Sequence, residues 1–203
     1  LSTNLFPSRL PDASIDIGSG HVMRCLTLAD GLRDQGHETL FLCREFEGHL
    51  IVAIEGRGHS VAILPISDDR PHLDDLDENL PVHLKWLGAR TQDDAAESIS
   101  ALSSWGRPDW LVVDHYAIDF RWERTLRNMA RHVLVIDDLA DRKHDCEVLL
   151  DQNLQSRPDR YSGLLPNGCR RLLGPGYALL RPDFAELRKG SIRRDGHLRN
   201  ILV

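Results

Sequence analysis

The sequence predicts an α/β protein built on a parallel sheet. Short apolar runs rich in Val, Ile and Leu alternate with stretches whose apolar residues recur at helical spacing. Glycine and proline fall at the junctions. Val22, Cys25, Leu26, Ala29 and Leu32 keep helical spacing, and Gly36 supplies the stop. Thr39–Cys43 follows as a strand. A second helix is expected over Gly48–Glu55, closed by Gly56-Arg57-Gly58, and Ser60–Leu64 is the next strand, ended by Pro65. The acidic stretch Ser67–Asn79, with Pro71, reads as a solvated surface loop.

A longer helix is expected from His83 to Ser103. Pro108-Asp109 breaks the chain before the strand Trp110–Asp114. Helix is then expected over Phe120–Ala130, strand over Val133–Ile136, and a short strand over Val148–Leu150. Residues 154–180 carry Pro158, Pro166, Gly174, Pro175 and Gly176 and read as irregular. Pro182–Lys189 reads as helix, and the polar, basic run Gly190–Gly196 as a linker.

Composition narrows the class. The chain has 203 residues, 41% hydrophobic and 28% charged, enough for one core of ordinary size. A net charge of -6 without a basic block argues against a nucleic-acid partner. No apolar run approaches the roughly 20 residues of a bilayer span. No signal segment opens the chain. A cytoplasmic protein with no membrane partner is the expectation. Cys25, Cys43, Cys146 and Cys169 form no C-x-x-C pair and read as buried free thiols. The ten histidines show no metal-ligand spacing, so no metal and no cofactor is expected.

The most informative stretch is Gly18-Ser19-Gly20-His21. Glycines admit a ligand close to the backbone, and the first turn of a helix presents unpaired N–H groups to an anion. An imidazole at that mouth can act as a general base near neutral pH. Ligand crevices of open α/β sheets lie at the carboxyl ends of the strands. Three polar clusters fall there: Gly18–His21, Asp114-His115-Tyr116 and Asp151-Gln152-Asn153. Asp114 is placed to orient an imidazole, and Tyr116 to bond a sugar or diphosphate oxygen. Asp137-Asp138 reads as a turn cap, with a Mg2+ site as the rarer alternative. The chain has no G-x-S-x-G and no P-loop, and Met23 stands where a dinucleotide fingerprint needs glycine.

Several ordered blocks carry a family resemblance. They are IGSGHVMRCL (17–26), WLG (86–88) with Asp94-Ala95, DWLVVDHY (109–116), IDDLADR (136–142), LLDQN (149–153) and LGPGYALLRP (173–182). Together they resemble the UDP-sugar hydrolase of pseudaminic-acid biosynthesis, which is related in fold to MurG-type glycosyltransferases. The resemblance implies a Rossmann-like N-terminal domain of a two-domain GT-B fold over residues 1–189. Residues 190–203 would be a linker and the first strand of a second, UDP-binding domain. It implies that His21 activates water against the anomeric carbon of a UDP-linked diacetamido-trideoxy-hexose, releasing free sugar and UDP without a metal.

Tyr116 is the second expected catalytic residue. Asp12, Gly18, Ser19, Gly20, Arg24, Asp114, His115 and Asn153 make up the expected substrate-binding set. A GT-B glycosyltransferase or a surface-polysaccharide biosynthesis protein is the runner-up, and a non-catalytic sugar-binding module a third reading. Two departures from the family pattern stand out. Pro7 and Pro11 interrupt the first apolar run, which makes a first strand doubtful, and Leu10 replaces an expected arginine beside Arg9. With half of the two-domain arrangement missing, the chain alone is expected to show little hydrolase activity.

Overall fold

A computed structural model describes residues 5–9, 19–66, 83–154, 157 and 159–190. The elements run β1 (Leu5–Arg9), α1 (Gly20–Asp34), β2 (Glu38–Arg44), α2 (Ile51–Glu55), β3 (Ser60–Leu64), α3 (Thr91–Ser103), β4 (Trp110–Val113), α4 (Phe120–Leu126), β5 (His132–Ile136), β6 (Val148–Asp151), β7 (Arg170–Leu173) and α5 (Pro182–Lys189). The seven strands form one sheet in the order β3-β2-β1-β4-β5-β6-β7, and every neighbouring pair is parallel. The chain therefore winds one way from β1 to β3 and the other way from β4 onward. The switch point, where the crevice of such sheets opens, lies between β1 and β4.

The strand residues alternate between two apolar layers, as the pleat requires. Leu40, Leu42, Leu111, Val113, Val133, Val135 and Leu149 join one core with Ala95 and Leu102 of α3 and Trp122 and Leu126 of α4. Phe41, Cys43, Val112, Ile136 and Leu150 join the other with Val22, Cys25, Leu26 and Ala29 of α1 and Ile51 and Ile54 of α2. Arg44, at the carboxyl end of β2, ties the first layer together. Its guanidinium donates to Asp94 (2.7 Å) and Glu97 (2.6 Å), and Asp94 also accepts the Trp122 indole N–H at 2.8 Å.

The first strand forms despite the prolines. β1 lies between β2 and β4, with Pro7 opposite Leu40. Pairing with β4 begins at Ser8, one residue past the proline that lacks a donor. The expected helix over His83–Ser103 is two elements. A 3-10 turn spans Leu84–Leu87, Gly88 takes a left-handed conformation at φ 71°, and α3 starts at Thr91. The stretch read as irregular contains the edge strand β7 and a 3-10 turn at Pro175–Tyr177. The segments read as α2 and α4 are shorter than expected, and Asp114 is the first residue beyond β4. The acidic loop and the linker lie outside the described residues, as does Pro11.

Gly88 is needed twice over. Its φ is positive, and a Cβ built there falls 2.2 Å from the Phe46 ring and 3.2 Å from the Arg44 side chain. Gly88→Ala is expected to destabilise the chain by about 2 kcal/mol, from backbone strain and overpacking together. The measurement is a lower urea midpoint at unchanged slope.

Candidate active site at the switch point

The carboxyl end of β4 delivers Asp114 into the crevice, and α1 delivers His21 and Arg24 from the other side. These two helical residues are three apart and so share a face. Asp114 has no exposed surface, and its carboxylate collects every donor around it. Arg24 donates from Nε at 2.6 Å to Oδ2 and from a terminal nitrogen at 2.5 Å to Oδ1. Cys25 Sγ donates to Oδ2 at 3.4 Å. His21 Nδ1 lies 2.7 Å from Oδ1.

Two neighbours compete for His21 Nδ1: the Asp114 carboxylate oxygen at 2.7 Å favours a hydrogen on it, and the Arg24 terminal nitrogen at 2.9 Å, a donor, favours a bare lone pair. With Arg24 already spent on the same Asp114 oxygen, the tautomer that donates from Nδ1 to Asp114 leaves Nε2 as the basic nitrogen of the neutral ring. The His21 side chain keeps 10% of its surface exposed, against none for Asp114.

Burial alone would raise the Asp114 carboxyl. The hydrogen bonds from Arg24 and His21 outweigh it and hold the group below the usual carboxylate range. Asp137 behaves alike: burial pushes it up, but the Arg142 guanidinium at 2.8 Å holds it low. For carboxyls depressed in the folded state, the stabilisation is complete above the unfolded value near 4 and is lost as pH falls through the folded values. The thermal midpoint is expected to stay level from pH 7 to about pH 5 and to drop steeply below about pH 4. An unchanged midpoint down to pH 3 contradicts this electrostatic picture.

Tyr116 crosses the His21 ring edge-on, with centroids 4.5 Å apart at 86°. Its hydroxyl donates to Asp138 Oδ1 at 2.5 Å, and Asp138 Oδ2 accepts from Arg24 at 3.2 Å. Burial, then the Asp138 bond, pushes the phenol well above its ordinary value, so it stays protonated. With its one O–H spent on Asp138, Tyr116 meets a ligand as an acceptor and as an aromatic edge. His83 and Trp86 extend the aromatic surface. Their rings stack at 4.3 Å and lie 5.5 and 6.1 Å from Tyr116.

The remaining expected residues divide. Ser19 and Gly20 are exposed at the start of α1. The Ser19 side chain does not cap the helix, no acidic residue occupies the first turn, and the Met23 amide bonds back to the Ser19 carbonyl. Among the described residues, nothing lies within 4 Å of a Cβ built on Gly20. Asn153 is exposed and donates to the Asp138 carbonyl at 3.3 Å, which sets it beside the cluster. His115, expected to touch substrate, is instead 1% exposed, and its Nδ1 accepts the Ala117 amide at 3.0 Å. Asp12 and Gly18 lie outside the described residues.

The Asp137-Asp138 pair serves its own turn. Asp137 accepts from the Ala140 amide and from Arg142, while Asp138 accepts from Tyr116 and Arg24. Asp138 is thus a site residue that sequence reasoning weighed only as a cap or metal ligand. His83 escaped it entirely; its spacing of three from Trp86 was the available signal.

A Rossmann-like α/β domain of the GT-B kind, with a histidine–aspartate pair at its switch point, is the class these features define. The chain is 28% identical over 174 residues to the UDP-2,4-diacetamido-2,4,6-trideoxy-beta-L-altropyranose hydrolase of Campylobacter jejuni, a match covering 85% of this chain and 51% of that protein. The chain thus spans about half the length of this curated relative.

Among solved structures it is similar to Arabidopsis thaliana UGT89C1 complexed with UDP. There the TM-score is 0.59 at 13% identity, over 96% of this chain and 56% of the other. It is also similar to Acinetobacter baumannii MurG, with a TM-score of 0.53 at 11% identity, over 85% and 46%. These structural likenesses establish the fold. No family model matches the chain. Among the described residues, no helix is long and apolar enough to cross a membrane.

Proposed function

We propose that this chain is the sugar-binding, catalytic half of a nucleotide-sugar hydrolase that cleaves the anomeric C–O bond of a UDP-linked diacetamido-trideoxy-hexose, giving free sugar and UDP. The observation that carries the reading is the His21–Asp114 pair at the switch point, on a chain similar to a hydrolase of that class. Asp114 holds the Nδ1 hydrogen, and His21 Nε2 takes a proton from water as the water attacks the anomeric carbon. General-base assistance of this kind supplies about 10²–10⁴-fold, with positioning adding more. The first-turn amides of α1, beside His21, supply donors and positive dipole to the negative charge that collects on the departing diphosphate in this reading. Arg24 is bound to Asp114 and Asp138 and fixes the pair rather than the substrate. No step needs a metal.

The reading assigns residues 1–189 to this half and residues 190–203 to the passage toward a second one. It puts most UDP contacts in the part of the relative that the match does not cover. The chain alone is then expected to turn over slowly. The test is to incubate a protein carrying this chain and a second half with the UDP-sugar and water only. Free sugar and UDP in equal amounts support hydrolysis. Release that requires an added acceptor supports the glycosyltransferase reading, and binding without release the module.

A further inference from the structure

We infer that Cys146 and Cys169 are a peroxide-sensitive thiol pair that closes into an intramolecular disulfide. Their sulfurs lie 3.7 Å apart. Cys146 sits two residues before β6 and Cys169 one residue before β7. The two strands are neighbours in register, Val148 opposite Arg170, and the Arg170 amide donates to the Glu147 carbonyl at 2.8 Å. The register sets Cys169 beside Glu147, one residue along from Cys146, so the pair is a diagonal neighbour across strands about 4.8 Å apart, and such a diagonal falls within the roughly 4.4–6.8 Å that a disulfide requires between Cα atoms.

The two thiols are unlike in the way such chemistry uses. Cys146 is 4% exposed and belongs to the core beneath α3 and α4, whereas Cys169 is partly exposed at the sheet edge. The pairing with Cys146, and Arg171 alongside, hold the Cys169 thiol below its ordinary value, against the opposing effect of burial. The same pairing, and burial, push Cys146 up. Cys169, the more exposed of the two, is the thiol a peroxide reaches and reacts with through its thiolate form, and Cys146 is the resolving thiol. Cys25 and Cys43 are buried in the other core, and Cys25 donates its hydrogen to Asp114.

The oxidant is a peroxide. The Cys169 thiolate attacks one peroxide oxygen, breaks the O–O bond and becomes a sulfenic acid, releasing hydroxide, which takes up the proton the thiol had lost. Cys146 sulfur then attacks the sulfenic sulfur. The S–S bond forms, the S–O bond breaks, and the Cys146 proton leaves with the hydroxyl as a second water. Two thiols are oxidised by two electrons and one peroxide is reduced to two waters. The pair lies at the amino ends of β6 and β7, the opposite sheet edge from His21, so this modification site is separate from the proposed catalytic one. The segment it would staple carries Arg160 and Tyr161, which donate to the backbone carbonyls of Asp138 and Asp137.

The test treats the folded chain with a small molar excess of hydrogen peroxide, alkylates remaining thiols after denaturation, and maps the peptides by mass spectrometry. The expected result is a crosslinked peptide pair holding Cys146 and Cys169, about two daltons lighter than the separate peptides. Dithiothreitol reverses it, and Cys25 and Cys43 are recovered alkylated. Cys146→Ser should abolish the crosslink and leave a Cys169 sulfenic acid that dimedone traps. Circular dichroism of each variant confirms that it is folded. A folded chain whose four cysteines oxidise at similar rates, or whose Cys169 goes to sulfinic acid with Cys146 still free, overturns the inference. This outcome is independent of whether the chain hydrolyses a nucleotide sugar.

Discussion

His21→Ala is expected to lower kcat about 10²–10⁴-fold while the dissociation constant for the UDP-sugar changes only a few-fold. In the proposed reaction the imidazole works through one atom, Nε2, and on water rather than on the substrate's own groups. Removing it therefore strips the transition state of proton acceptance and leaves ground-state contacts in place. The fold should tolerate the change, because His21 lies in the first turn of α1 at the crevice and alanine is a strong helix former. Steady-state kinetics and equilibrium binding, measured side by side, separate the two effects. Undiminished turnover in a folded variant would place the chemistry elsewhere.

Asp114→Ala is expected to do two kinds of damage. The Arg24 guanidinium, only 10% exposed in its side chain, loses the closer of its two carboxylates and keeps Asp138 at 3.2 Å. Breaking a buried pair costs up to about 3–5 kcal/mol when the remaining charge is left alone; Asp138 offsets part of that, and a lower urea midpoint is expected. Asp114→Asn isolates the second effect. It keeps the volume and most of the packing, but an amide no longer demands the hydrogen on Nδ1, and the imidazole is free to present the wrong nitrogen. A fall in kcat of about 10²–10⁴-fold is expected, as for an aspartate that sets a catalytic tautomer. In the proposed chemistry Asp114 is a positioning residue acting through His21. Adding Asp114→Asn to His21→Ala should then cost far less than the sum of the two single losses. Full additivity in that cycle, or rescue of the Asn variant by His21→Ala, would detach the aspartate from the histidine.

The strands of the sheet are legible to different degrees. Apolar runs such as Trp110–Val113 and His132–Ile136 are buried on both faces and announce parallel strands without help. β7 did not, because an edge strand beginning Arg170-Arg171 buries only its second half and carries no apolar run. The single helix expected over 83–103 failed at Gly88. Spacing cannot tell a glycine carried along in a helix from one that ends it; here Gly88 turns left-handed, and the Phe46 ring, over forty residues away, leaves no room for a side chain at that position. β1 runs the other way: Pro7 argues locally against a strand, yet pairing with β2 on one side and from Ser8 on the other carries the backbone through.

The candidate site shows the same division. Small residues ahead of His21, and polar residues past a buried strand at Asp114 and Tyr116, mark the crevice by pattern alone. Which of them bond is a matter of side chains about ninety residues apart meeting at the switch point. That is why Asp138 was read as a cap and His115 as a ligand. Asp138 reaches the cluster through Tyr116 and Arg24, whereas His115, one residue past Asp114, turns to its own loop.

Long-range 1H–15N correlation of the His21 ring in the folded chain, above the pH at which the ring is neutral, tests this account most directly, because it needs neither substrate nor a second half. The account predicts a single tautomer with hydrogen on Nδ1 and a bare Nε2, lost in Asp114→Asn. Hydrogen on Nε2 in the unsubstituted chain would leave the ring without a base aimed at water and contradict the proposed chemistry.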